Sequence, residues 1–298
     1  MKIERLRAPF QYYGGKGLMV ARLTPLVPSG GKPYCEPFCG GASLFFSREP
    51  APVEVLNDLD RDVVNVFRCL QNKDTFEELR HRLMWTPYAR AEFERAIETL
   101  KEPSADSVTR AWAFMVAQNQ GFGGHADTVG NWGRAFVPDA GTAGTANRWL
   151  MRLSMLDAWR WRLMRVQIDC RDTLEVIRYW DNHDAVFYCD PPYVQETRAK
   201  GWVNVYAHEM SEEQHRALVE TLLSVSGAVV LSGYEHPVYW PLENAGWERA
   251  EFKTSCHAAA RTRVSGILGK GAATADVPRT EIVWRNKRAV ELTAAKSA

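Results

Sequence analysis

Two hydrophobic periods divide the chain. Short apolar runs bounded by turn residues predict strands, and apolar residues recurring every three or four positions predict helices. Pro33 to Pro37 enters a short strand, a helix follows near Ser43 to Arg48, and VEVLN (Val53 to Asn57) is a buried strand. DLDRDVVNVFRCL then reads as an amphipathic helix opening at Asp58 or Asp60. This alternation predicts the βαβ grammar of an α/β sheet. From Lys73 to about Gln120 the period is wholly helical, with Phe76, Leu79, Leu83 and then Phe93, Ile97, Leu100, as in an insertion between sheet elements. Gly121 to Asn147 hold seven of the 21 glycines, which predicts a loop or hairpin. One tryptophan-rich helix is expected from Asn147 to Arg165, with five arginines against the single acid Asp157. Sheet grammar then resumes with VQIDC, a helix near Thr173 to Trp180, the strand Ala185 to Cys189, a helix from Ser211 to Ser224 and the strand GAVVLSG. A short strand near Arg249 to Phe252, a closing strand Arg279 to Asn286 and a polar tail after Arg288 complete the chain.

The length of 298 residues allows one large domain or one domain with a sizeable insertion. A hydrophobic share of 46% and a charged share of 24% exclude disordered, collagen-like and coiled-coil chains. With 37 basic against 36 acidic residues, any affinity for polyanions must come from local patches. Lys253 to Lys270, with four Lys/Arg and no acid, is one such patch. The six cysteines form no CxxC pair and read as reduced thiols of a cytosolic protein. The seven histidines lie far apart, so no structural metal is expected. No apolar run approaches ~18 residues and the N-terminus has no signal-like hydrophobic stretch, which argues against membrane spanning and secretion.

The sharpest chemical feature is Asp190-Pro191-Pro192-Tyr193, immediately after the strand AVFYC. Ligands of open α/β sheets bind outside the carboxyl ends of strands, and two prolines stop the strand and hold it extended. A carboxylate, a proline carbonyl and an aromatic ring in one cleft make a receptor for an amine on a planar base, which offers two N–H donors and a π-face. Asp and Pro are also favoured in plain turns, so a turn remains the competing reading. A second feature is Glu36-Pro37-Phe38-Cys39-Gly40-Gly41-Ala42-Ser43, a glycine-rich turn between strand and helix where backbone can approach a ligand. About twenty residues on, Asp58 ends the next strand, where an acid hydrogen-bonds ribose hydroxyls or caps the following helix.

In this order, these pieces resemble the Dam-like adenine-specific DNA methyltransferases. FQYYGGKG (Phe10 to Gly17) is similar to that family's Gly-Gly-Lys motif, EPFCGGASLFF to its cofactor loop and LNDLD to its ribose-binding acid. VFYCDPPY is similar to its catalytic motif and RTEIVW to its last strand. Ala42 departs from the family's FxGxG pattern, which bears on the fine shape of the loop.

The resemblance implies an α/β, Rossmann-like S-adenosylmethionine-dependent core over residues 1–72 and 166–298, with a mostly helical target-recognition insertion over 73–165. It implies site-specific methylation of the exocyclic amine of adenine in double-stranded DNA by base flipping, with restriction-modification as one setting. Asp190, Pro191, Pro192 and Tyr193 would be catalytic, with Asp190 and the Pro191 carbonyl accepting the amine hydrogens and Tyr193 stacking on the flipped base. Tyr12, Gly14, Lys16, Glu36, Phe38, Gly40, Asp58 and Asp172 would bind the cofactor, Lys16 at its carboxylate. An exposed lysine in a turn and a helix cap at Asp172 are the competing readings. For DNA contact, Asn119, Gln120 and Arg134 are candidates for base reading. Arg148, Arg152, Arg160, Arg162, Arg165, Lys253, Arg261, Arg263 and Lys270 are candidates for phosphate contact. Trp149, Trp159 and Trp161 are read as helix packing. A cytoplasmic, nucleoid-associated monomer of a bacterium or phage-infected cell is expected, without metal or membrane. RNA, a protein amide, or a non-catalytic scaffold on DNA are the alternatives.

Overall fold

The computed structural model describes residues 6–12, 14–121, 132–133, 138–139, 142–197, 208–255 and 278–295. Its strands are β1 (Tyr34–Glu36), β2 (Glu54–Asn57), β3 (Pro138–Asp139), β4 (Thr142–Ala143), β5 (Gln167–Asp169), β6 (Val186–Cys189), β7 (Ala228–Gly233), β8 (Glu248–Ser255) and β9 (Pro278–Arg285). Its helices are α1 (Val20–Leu23), α2 (Ser43–Ser47), α3 (Arg61–Gln71), α4 (Lys73–Met84), α5 (Arg90–Lys101) and α6 (Ser107–Gln120). They continue with α7 (Gly144–Leu153), α8 (Leu156–Leu163), α9 (Thr173–Trp180), α10 (Glu212–Ser224), α11 (Trp240–Asn244) and α12 (Lys287–Ala294).

Seven strands make one sheet in the order β5-β2-β1-β6-β7-β9-β8. The first five in that order run parallel, while β9 returns antiparallel between β7 and β8. The chain builds outward from β1 through β2 to β5, then crosses back to β6 on the other side of β1. That reversal makes a topological switch point, the place where open α/β sheets bind ligands.

Both faces of the sheet are covered, as a parallel sheet requires. Val186, Tyr188, Val230 and Val283 face a core shared with α2 to α8 and α12. Phe187, Cys189, Val229, Leu231, Ile282 and Trp284 face a second core with α9 to α11. This is a Rossmann-like three-layer arrangement. Helices α4 to α8 lie within the first core, so the sheet and the helical segment bury their apolar faces against one another.

Local chemistry sets the helix starts. Asp60 is the N-cap of α3, accepting from the backbone N–H groups of Asp62 and Val63, and Asp58 stands outside the helix. Asn72, Asp106 and Asp172 cap α4, α6 and α9 in the same manner, and Ser211 with Gln214 forms a capping box on α10.

Two expectations need correction. The helix expected from Asn147 to Arg165 is two helices, α7 and α8. At the break, the Ser154 hydroxyl bonds the Met151 carbonyl and Met155 N–H closes a tight turn on Arg152 O. The tail after Arg288 belongs to α12, which Asn286 caps and which buries Ala289. Short helical turns at Lys16–Leu18 and Thr24–Leu26 flank α1 ahead of β1. The glycine-rich stretch includes an antiparallel pairing of β3 with β4.

Among the described residues, no helix is long and apolar enough to cross a membrane, and no group of three or more His, Cys, Asp or Glu could hold a metal ion. Cys35, Cys39, Cys69, Cys170 and Cys189 are free thiols.

Candidate active site

One cleft opens at the switch point between β1 and β6. Its space, open mouth included, is ≈ 1190 Å³. It is lined by Tyr12, Gly14 to Lys16, Glu36 to Leu44, Asp58, Leu59, Asp172 to Leu174, Tyr188, Asp190 and Pro192. His208 to Met210, Gln214 and Ala217 complete it. All eight expected cofactor residues therefore meet in one place. Pro191 and Tyr193 are buried and are not among the lining residues.

The loop after β1 is held by partners on both sides. The buried Asn57 donates to the carbonyls of Pro37 and Arg171 and accepts from Arg171 N–H, tying the loops after β1, β2 and β5 together. Gly40 takes a left-handed φ of 46° and its N–H donates to Asp58 at 2.7 Å. A Cβ there would stand 2.9 Å from the Tyr12 ring. Tyr12 in turn donates to Asp60 at 3.0 Å. The cradle is therefore close-packed around glycine backbone, as a loop passing under a ligand requires.

Three carboxyls of the cleft are held above their ordinary range. Burial raises Glu36 to about 7, with the Tyr34 hydroxyl, 2.7 Å away, and Arg48 opposing it. Burial raises Asp58 to about 6 against the N–H groups of Asp60 and Gly40 and the charge of His208. Burial also raises Asp190 to about 6, with Lys16 pulling down and Glu281 pushing up. These walls accept hydrogen bonds and welcome positive charge.

The Asp-Pro-Pro-Tyr motif stands at the end of β6. Lys16 Nζ lies 2.7 Å from Asp190 Oδ1, 3.5 Å from Glu281 Oε1 and 3.2 Å from the Gly14 carbonyl, with its charge 4.6 Å from the Tyr193 ring centre. Burial disfavours that ammonium, but Asp190 and Glu281 outweigh it and its pKa is raised. The Tyr193 hydroxyl donates to Glu281 and lies 3.4 Å from Asp190, and its ring packs edge-to-face on Tyr234 at 4.4 Å. Tyr193 is 6% exposed, so its ring is occupied by the protein in this state.

Lys16, expected at the cofactor carboxylate, has its ammonium on Asp190 in this structure. Asp172 lines the cleft and also caps α9 through Oδ1. Gln120 is fully buried, its amide spent on Pro87 O and Ala89 N–H, so it is a packing residue and not a base reader. Asn119 donates to Pro9 O and Met115 O. Arg162 is sealed against Glu54, Arg152 bonds Ala8 O with its charge held down to about 10 by burial, and Arg160 bonds Gln71 O. Trp149 and Trp159 are core residues, but Trp161 is 65% exposed, contrary to expectation. Arg148, Arg165 and Lys253 are exposed. Arg134, Arg261, Arg263 and Lys270 lie outside the described residues. Glu281, Tyr234, His208 and Gln214 were not picked out, although Glu281 sits within the RTEIVW strand.

The sequence matches the D12 class N6 adenine-specific DNA methyltransferases over residues 12–102 and 140–247, more than half of the chain and including both the Gly-rich loop and the Asp-Pro-Pro-Tyr motif. The chain belongs to that family. It is 27% identical over 228 residues to the DNA N-6-adenine-methyltransferase of Escherichia phage P1, covering 76% of this chain and 29% of the phage protein. It is 35% identical over 74 residues to the type II methyltransferase M1.LlaDCHI of Lactococcus lactis subsp. cremoris, covering 25% of each. The chain thus spans less than a third of the length of these curated relatives. Both stretches of the chain that match the family bring their motifs to the same cleft, while Glu281 lies beyond them.

Proposed function

We propose that the protein transfers a methyl group from S-adenosylmethionine to the exocyclic amine of adenine in duplex DNA. The observation that carries the reading is the position of Asp190, half-buried at the end of β6 on the wall of the cleft that the glycine-rich loop also lines. The bound cofactor supplies a sulfonium methyl, electrophilic enough for a neutral amine to attack. The Gly40 cradle, the Asp58 carboxyl and the carboxylate-rich walls fit a cationic nucleoside. Asp58 would hold ribose hydroxyls, Tyr12 and Phe38 would pack beside the ligand, and Glu36 would face its positive end.

Asp190 would accept the amine hydrogens, turning the nitrogen lone pair toward the methyl. It accepts best when ionised, above about pH 6. Reaching that carboxylate from a duplex needs the base flipped from the stack. Pro192 lines the path, and Tyr193 would have to turn from Tyr234 to stack on the base. Residues 73–165 would serve recognition, with Arg148, Arg134, Arg261 and Arg263 as DNA contacts, in a monomer of the cytoplasm.

The test is incubation of the full chain with S-adenosylmethionine and unmethylated genomic DNA, followed by digestion and mass spectrometry of nucleosides beside an Asp190→Ala control. N6-methyladenine from the wild type, reduced at least ~1,000-fold in the variant, is the expected result. Cofactor binding without methylated DNA would move the acceptor to RNA or a protein amide, and no cofactor binding would favour a scaffold.

A further inference from the structure

Lys16 engages the carboxylate that the adenine amine must use, so an incoming base has to displace it. An ammonium that is 7% exposed costs several kcal/mol to leave without a counter-ion. The structure supplies a second carboxylate for it. Glu281 is 4% exposed, and its Oε1 lies 3.5 Å from the same nitrogen while accepting the Tyr193 hydroxyl. Sheet topology puts it there. Strand β9 runs antiparallel to β7 and pairs Ile282 with Gly233, so Glu281 falls just past the carboxyl end of β7, beside the end of β6. Strand alternation then puts Glu281 on the face of Val283, which is also the face of Tyr188.

We propose that Glu281 is a positioning residue for methyl transfer, holding the Tyr193 phenol and receiving the Lys16 ammonium when the amine engages Asp190. Two carboxylates share one lysine, so one is always left for the substrate's N–H groups. The lysine moves between neighbours across the face of Tyr193 without becoming unpaired. Charge is conserved in the exchange, and the proton carried by Lys16 stays on it. This role rests on the adenine-methylation reading above.

The test compares the wild type with Glu281→Gln and Glu281→Asp as full chains. It reads S-adenosylmethionine binding, kcat and KM on duplex DNA across pH 5 to 8, and the carboxyl titration of Asp190 by NMR. The charges facing Asp190 are Lys16 and Glu281, with Tyr193, Tyr188, Tyr239 and Glu36 as further titratable neighbours. The expected result is cofactor binding near wild type in Glu281→Gln, kcat lower by ~10–100-fold and DNA KM changed by less than ~3-fold. Asp190 should titrate lower once its like-charged neighbour is neutral, carrying the acid limb of kcat/KM with it. Glu281→Asp keeps the charge and should recover the pH profile, and it serves as the variant if the glutamine form does not fold. An unmoved Asp190 titration, an unchanged kcat, or a loss confined to KM would overturn the role of Glu281 while leaving the methylation reading in place. A wild type that makes no N6-methyladenine would overturn both.

Discussion

Two buried ion pairs, one under the sheet and one at the cleft, separate what holds this protein together from what it works with. Arg162 of α8 grips Glu54 of β2 with both guanidinium nitrogens, one at 2.6 Å, and the pair is 1% and 0% exposed. Glu54 also accepts Ala51 N–H, and the guanidinium lies 3.7 Å from the Phe45 ring centre while bonding the Phe45 carbonyl. Lys16 and Asp190 make a single contact at 2.7 Å, 7% and 17% exposed, with a second carboxylate in reach. A planar fork matched to one carboxylate has no alternative partner, whereas an ammonium on a four-carbon stem can change partners. The first pair fastens α8 to the sheet. The second, on the role proposed above for Asp190, is a contact that a substrate would replace.

The largest expected effect tests the fastened pair. Arg162→Met should cost about 3–5 kcal/mol, because Glu54 is left buried without a counter-charge. Adding Glu54→Leu should recover much of that loss, since removing both charges leaves neither unpaired. Urea denaturation of the two variants measures this. A loss under about 1 kcal/mol in the single variant would show that the two pairs do not differ in kind.

The cleft pair should reveal itself through pH. Asp190 binds protons more readily folded, at about 6, than at its ordinary 3.8. The stability it contributes is full below about 4 and is lost as pH rises through 6. An Asp190→Asn variant lacks this titration, so its melting temperature should gain on the wild type between pH 4 and 7 and then level off. At about 1.4 kcal/mol per unit, the gain is on the order of 2–3 kcal/mol. Thermal melts of both ligand-free proteins across that range decide it, and a flat or falling difference would contradict the assignment. Asp58, raised to about 6, acts in the same direction in both proteins and cancels from the comparison, while Glu36, which the Asp190 charge helps to raise, is relieved in the variant and adds to the gain in the same direction.

The comparison also marks where sequence reading stops. Strands, caps and the two motif loops were legible because they depend on residues within a few positions of one another. The Thr173–Trp180 helix and its Asp172 cap are an example. Glu281 was not, because its meaning depends on β9 returning antiparallel beside β7, nearly ninety residues after Tyr193. Arg162 and Gln120 were misread for the opposite reason. A polar side chain at the edge of an apolar helix looks the same in sequence whether it meets solvent or a buried partner. Lys16 was placed in this cleft, but its pairing with Asp190 was not legible, since a motif names the neighbourhood of a flexible side chain and not its contact.

The smallest effect concerns the loop that joins the two regions. Gly40 and Ala42 both line the cleft, and Ala42 is also 1% exposed and packs into the core that holds Phe45. Ala42 carries φ 52° and ψ 41°, a left-handed conformation costing an L-residue roughly 1–2 kcal/mol. Replacing it by glycine relieves that strain but removes a buried methyl worth about 0.8 kcal/mol and adds about 0.5–1 kcal/mol of chain entropy to be lost on folding. The terms nearly cancel, so Ala42→Gly should change stability by less than about 1 kcal/mol and leave S-adenosylmethionine affinity within ~3-fold. Calorimetry of binding and melting on the variant checks both. A loss above about 2 kcal/mol with unchanged affinity would assign the loop to the core. A large change in affinity at constant stability would show that the Ala42 methyl serves the cleft more than the core, and the boundary between fastened and exchangeable regions would move past it.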